Sequence, residues 1–219
     1  MLPVYTEYLN NITITIDGTM RLSKRHHVFP VDNHGNIQSM FNFRWCHNFT
    51  IRGEGTVDGQ GYMWWIREYL GTNHKGRPYL LEFNHGTNLE FTGVRWINSP
   101  NFHLDVKDFD GAWFHDFEIW VDAYGQLELD RLFMGSKGSE NGLLPSVRLP
   151  TYALNTDGID PRGKNFIIER VNITNFDDAV AIKNSKINGN FSTCTENVIV
   201  RDCNIWFGVG MTIGSVIPS

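Results

Sequence analysis

The chain has 219 residues, a length for one domain or two small ones; 41% are hydrophobic, 20% are charged, and no apolar run is long enough to span a membrane. Nineteen basic against 24 acidic side chains give a net charge of −5, which argues against a nucleic-acid binder held by phosphate contacts. Eight prolines and the lack of a long single-sign charge run argue against disorder. Cys46, Cys194 and Cys203 contain no Cys-x-x-Cys spacing, so they form neither a zinc site nor a disulfide framework; at most one bridge is possible. No metal and no cofactor are expected.

The N-terminus, Met1-Leu2-Pro3-Val4-Tyr5-Thr6-Glu7, lacks the basic and apolar regions of a signal peptide. Glycosylation sequons begin at Asn11, Asn48, Asn172 and Asn190, which favours a secreted, extracellular glycoprotein whose signal has been lost or lies upstream of this chain.

Along the chain one pattern recurs: an Asn, a short alternating apolar run, a Gly or polar break, then a second apolar run. Copies run from Asn11 to Gly18, Asn48 to Gly53, and Asn88 to Ile97. A copy that starts on glycine follows from Gly111 to Ile119, and the last two run from Asn165 to Ile173 and Asn197 to Ile205. In register, Phe91, Phe114, Ile168 and Val200 align, as do Val94, Phe117, Val171 and Cys203. Each copy predicts two or three short strands, which cannot bury an apolar face alone but form a continuous core when stacked as coils. Between the copies lie an aromatic insertion, Tyr62 to Leu80, with a helix predicted about Met63 to Leu70; a long loop, Ser136 to Pro150; and a small polar loop, Lys186 to Thr193. The fold class is all-β, a right-handed parallel β-helix forming one domain over residues 1–219. A β-sandwich is the alternative, but it has no reason to keep one register through six units.

Three segments carry chemistry: Asn155-Thr156-Asp157-Gly158-Ile159-Asp160, Phe176-Asp177-Asp178-Ala179, and Gly208-Val209-Gly210-Met211-Thr212-Ile213-Gly214-Ser215. Asp157 and Asp177 are 20 residues apart, about one coil. Neighbouring coils lie about 4.8 Å apart, so Asp157 should sit nearly beneath the Asp177-Asp178 pair. Both members of the pair can face one groove only if the chain bends there. Three carboxylates so close cannot ionise independently, and at least one pKa should rise. A protonated acid beside charged carboxylates is what glycosidic cleavage requires. The plainer alternative is that these residues only end strands and cap turns.

Taken in order, the three segments resemble those of the polygalacturonases of glycoside hydrolase family 28, whose landmarks are Asn-Thr-Asp, Gly/Gln-Asp-Asp, Gly-His-Gly-x-Ser-x-Gly-Ser and Arg-x-Lys. Upstream, the stretch Gly55-Thr56-Val57-Asp58-Gly59-Gln60-Gly61 and Asn98-Ser99-Pro100 are also similar to the family. The resemblance covers nearly the whole chain and implies a parallel β-helix that hydrolyses α-1,4-galacturonosyl bonds in pectin with inversion. It makes Asp177 the general acid, has Asp157 and Asp178 hold and deprotonate the attacking water, and places Asn155, Gly208 and Gly210 in the substrate groove.

This sequence departs from the family at three points. Val209 stands where the family has histidine, Ala179 where a cysteine usually follows Asp-Asp, and Arg-x-Lys is absent by Ser219. The chain is therefore expected to be a central piece of a longer catalytic domain, incomplete at both ends, with little activity by itself. Its expected partner is a pectic polysaccharide, with neither nucleic acid nor membrane, and the complete protein is expected to be a monomer. Two other readings remain: a catalytically impaired β-helix that binds polysaccharide, and a hydrolase of another pectic backbone such as rhamnogalacturonan or xylogalacturonan.

Lys183, five residues after Asp178, is a candidate for meeting a uronate carboxylate. His103 and His115 fall in strand repeats and read as stacked or core-edge residues. Trp96, Trp113 and Trp120 read as core or wall, while Trp64 and Trp65, in the insertion, are candidates for the groove rim. Asp160 is expected on the strand face opposite Asp157, because of its odd offset.

Overall fold

The structure, a computed structural model, describes residues 1–122, 153–184 and 194–215, together with the backbone of 186–187 and 190–191. The segment expected to be a long loop, Ser136 to Pro150, lies outside the described residues.

Strands β1 (Val4–Glu7), β2 (Asn10–Thr15) and β3 (Thr19–Arg21) are followed by a 3-10 turn, His26–Val28. The next coil is β4 (Phe41–Arg52) and β5 (Thr56–Asp58), then helix α1 (Tyr62–Tyr69), within a residue of its predicted span. β6 (Leu81–Thr92), β7 (Arg95–Ile97), β8 (Leu104–Trp120), β9 (Ile159–Thr174) and β10 (Asp178–Ile182) continue the winding. The predicted polar loop contains a small antiparallel pair, β11 (Lys186–Ile187) and β12 (Asn190–Phe191). β13 (Glu196–Arg201), β14 (Asn204–Phe207) and β15 (Gly210–Ile213) close the described chain.

All strands but β11 and β12 join one sheet whose pairings are parallel, each coil bonded to the coil one turn away. This is the parallel β-helix. The register read from the repeats is observed: Phe91 pairs with Phe114, Phe114 with Ile168, and Ile168 with Val200. Phe91 and Phe114 stack at 5.3 Å between ring centroids inside the coil. Two of the interior rings, Phe114 and Phe166, are fully buried, and each contributes about 1.5–3 kcal/mol by leaving water.

The Asn that opens each repeat turns a corner. Asn11, Asn48, Asn88, Asn165 and Asn197 all have φ between 51° and 58°, the left-handed region that Asn tolerates better than most residues. The copy that starts on glycine uses Gly111 at φ 82° for the same corner. Side-chain amides link successive corners, with Asn88 donating to Asn48 at 2.9 Å and Asn197 to Asn165 at 3.1 Å. What the sequence separates into short strands is thus long strands bent at these corners.

One expectation about tryptophan is corrected. Trp64 and Trp65 are buried rather than at a rim. An amphipathic helix lying on a coil turns its bulkiest side chains inward, so Trp65 donates its indole N–H to the Ser99 carbonyl at 3.0 Å and Trp64 crosses Phe29 at 5.2 Å. Trp96 is core, whereas Trp113 is half-exposed on the outer wall and stacks on His115 at 3.8 Å. The three cysteines are free thiols, with Cys46 buried in the core.

Candidate active site

Asp157 lies just before β9, where Gly158 is a bend and regular pairing starts at Ile159. One coil later the chain bends again at Phe176 and Asp177, and the register slips between Asp178 and Val180. These two irregularities allow carboxylates from neighbouring coils to converge. One oxygen each from Asp157, Asp177 and Asp178 lies within 4.8 Å of the others. Asp157 is buried, and Asp177 and Asp178 are half-buried.

Backbone hydrogen bonds hold the cluster. Asp177 accepts from the Asn155 N–H at 2.8 Å and the Asp178 N–H at 3.0 Å. Gly158 donates to the Asp178 carbonyl at 2.9 Å, locking the coils together at the site. Fully buried Asn175 donates to the carbonyls of Thr156 at 3.0 Å and Asp178 at 2.7 Å, clamping both bends.

Lys183 Nζ sits 3.2 Å from Asp157 Oδ2 and 3.0 Å from Asp160 Oδ2. Asp160 therefore joins the same charge cluster, against the expectation that it would face away. The alternation rule applies within a regular strand, and Asp157 precedes the strand that Asp160 begins. Burial pushes the Asp157 carboxyl up to about 6, with Lys183 opposing and Asp177 and Asp178 adding to the rise. Burial likewise drives Asp160 well above the ordinary carboxylate range. Burial alone would lower Lys183, but Asp160 and Asp157 outweigh it and raise it.

The third segment packs over the pair. Val209 donates its N–H to the Asp177 carbonyl at 2.9 Å, while its side chain is 66% exposed. Gly208, at φ 138°, has no room for a side chain: a Cβ would stand 2.2 Å from the Asn175 amide oxygen. Gly210 pairs with Asp178 and faces open space.

Sequence reasoning missed Arg77, Asn175 and a role for His103. Arg77, buried in the aromatic insertion, donates to the carbonyls of Pro100 at 2.9 Å and Leu154 at 2.7 Å, and to the Asn155 side chain at 2.9 Å. The insertion has no repeat register, so nothing in the sequence connects it with Asn155. His103 lies beneath Asp157; its ring contacts the Asp157 carbonyl at 3.0 Å, and burial lowers its pKa to about 4, so it is neutral. His115 is at the core edge, with its Nδ1 in hydrogen-bond contact with the Asp116 carboxylate at 2.7 Å.

The three clustered oxygens are close enough to grip a divalent cation. The Lys183 ammonium and a carboxyl that keeps its proton near pH 6 both disfavour one there. The arrangement is better suited to moving protons: one carboxyl retains a proton at weakly acidic pH beside two others. Buried Asp157 Oδ1 makes no hydrogen bond within the described residues, which leaves an acceptor to orient a water.

A family model described as "Glycosyl hydrolases family 28" matches residues 4–218. An endo-polygalacturonase of Pectobacterium carotovorum subsp. carotovorum is 32% identical over 180 residues, which cover 77% of this chain and 37% of that protein. A polygalacturonase of Cryptomeria japonica is 29% identical, with 83% of this chain and 29% of that protein covered. The solved polygalacturonase from Erwinia carotovora ssp. carotovora superposes with a TM-score of 0.69 at 26% identity, over 95% of this chain and 52% of that one. The chain thus spans about a third of the length of the curated relatives it matches. The match takes in every coil described above, the three carboxylates and the glycine segment that covers them, and the chain belongs to glycosyl hydrolases family 28.

Proposed function

We propose that the protein carrying this chain hydrolyses α-1,4-galacturonosidic bonds of pectin and polygalacturonate, with Asp157, Asp177 and Asp178 as one acid/base set. The observation that carries this reading is the convergence of the three carboxylates within 4.8 Å from two adjacent coils. Asp177 protonates the leaving oxygen; Asp157 and Asp178 hold the attacking water and take its proton. Asn155, kept in place by Arg77, lines the groove with Gly208 and Gly210, whose bare backbone lets the sugar chain approach. Lys183 serves mainly to keep Asp157 and Asp160 in position, and its ammonium lies on the same face for a uronate carboxylate. The partner is a pectic polysaccharide; the complete protein acts as a secreted monomer, consistent with a substrate outside the cell and with the sequons.

One observation favours a second assignment within this reaction. Asp157, more buried and raised to about 6, is physically the better holder of the catalytic proton. Substrates with an activated leaving group decide between the two, because they need no protonation. In the complete protein, Asp177→Asn should lower turnover of polygalacturonate by about two to four orders of magnitude, and lose far less on an aryl galacturonide. Equal losses on both substrates would remove Asp177 from the acid role. Inversion is tested by NMR of the first product anomer, since these carboxylates are closer than the roughly 6.5–9.5 Å usual in inverting enzymes. Reducing-sugar release on polygalacturonate, rhamnogalacturonan and xylogalacturonan sets the backbone, and release from none would favour a binding role.

A further inference from the structure

A cavity of about 320 Å³ lies away from the carboxylate cluster, between the 3-10 turn at His26–Val28 and helix α1. Its lining includes His26, His27, Arg67, His74 and Lys75, and none of its lining residues is acidic. The volume falls in the range of about 300–1,000 Å³ typical of small-ligand sites.

The walls are built rather than incidental. Ile37 donates its N–H to the Lys75 carbonyl at 3.0 Å, joining the two sides. Arg67 is held through uncharged acceptors, Asn73 Oδ1 at 3.3 Å and the Thr72 carbonyl at 3.0 Å, so its charge is positioned without being neutralised. Asn73 in turn donates to the Trp64 carbonyl at 2.8 Å and to the Glu68 carboxylate at 3.1 Å, whose charge is met by Arg77 at 3.5 Å. Trp64 and Phe29, packed edge to face at 85°, form the apolar part of the lining. The His26 pKa is lowered by burial and then by Arg67 and His27, consistent with a positive potential inside. Apolar rings beside Arg67 and Lys75, with histidine rings as hydrogen-bonding partners, suit a ligand with both a sugar ring and a carboxylate.

We propose that this cavity is a second binding site, for a uronate residue. The choice of a uronate over another anion rests on the pectic substrate proposed above. The position fits that source: Gly76 of the cavity precedes Arg77, whose guanidinium holds Asn155 at the carboxylate cluster.

The test is NMR titration of the full chain with galacturonic acid, following the ring signals of His26, His27 and His74. Galactose and acetate serve as half-ligands, one lacking the charge and the other the ring. Galacturonic acid should shift all three histidines saturably, and each half-ligand should bind at least about tenfold more weakly. Replacing the exposed pair together, His27→Gln with Lys75→Gln, should weaken galacturonic acid by about tenfold or more and leave the fold intact. Silent histidines, equal binding of galactose or acetate, or unchanged affinity in the double variant would overturn the site. Binding is read without turnover, so its failure is distinct from that of the proposed reaction. Histidine shifts in the chain without hydrolysis by the complete protein would refute the reaction alone, and hydrolysis by the complete protein with silent histidines would refute the cavity alone.

Discussion

Asp157→Asn separates what the carboxylate cluster costs the fold from what it gives the chemistry. Asp157 moves from 3.8 to about 6 on folding, mostly because burial disfavours its charge. A shift of about two units at about 1.4 kcal/mol each corresponds to roughly 3 kcal/mol. The folded carboxyl binds its proton more tightly than the unfolded one, so its stabilising contribution is complete below about pH 3.8. That contribution is lost as pH rises through about 6. Asparagine has the same size and does not titrate, and Lys183 keeps Asp160 as a partner at 3.0 Å. The stability of Asp157→Asn relative to the parent should therefore climb by about 2–3 kcal/mol between pH 4 and pH 8. Urea unfolding followed by tryptophan fluorescence at pH 4, 6 and 8 measures it. A pH-independent difference, or one that falls as pH rises, would refute the assignment of a buried, proton-retaining carboxyl. The same substitution should remove turnover on polygalacturonate.

Arg77→Met strands three acceptors beside the groove and should cost about 3 kcal/mol by thermal unfolding, with weaker substrate binding from a mobile Asn155. Gly208→Ala would press a Cβ onto the Asn175 oxygen at a φ of 138°; a loss of about 1–3 kcal/mol and a fall in turnover are expected, readable by melting and reducing-sugar assays. Val209→His, at an exposed position whose backbone already binds Asp177, should raise the complete protein's activity on polygalacturonate by about tenfold through one charge-assisted hydrogen bond. An unchanged rate in a folded variant would mean that the local site is organised around valine.

The asparagines that tie coils together show how the same residues can carry two signals. Asn48 and Asn172 stand in sequons, yet Asn48 accepts from Asn88 and Asn172 accepts from Asn204 in the ladders that tie coils together. Their repetition along the chain reports the fold at least as strongly as it reports the compartment.

The sequence by itself determined the winding and the meeting of three carboxylates on neighbouring coils. Period-2 apolar runs opened by a corner residue admit stacked coils and little else, because each unit can bury its face only against a copy of itself. That stacking, with landmarks spaced about one coil apart, brought Asp157 toward Asp177 and Asp178. Only the tertiary structure decided how the chain deviates from regular strand at those points. The bend at Gly158 turned Asp160 into the same cluster as Asp157, where strand alternation alone would separate them. It also folded the aromatic insertion, which has no register with the repeats, so that Arg77 reached Asn155 and Trp64 and Trp65 went inward. Periodicity constrains residues that share a period; contacts between an insertion and a coil depend on packing in three dimensions, which no local spacing encodes.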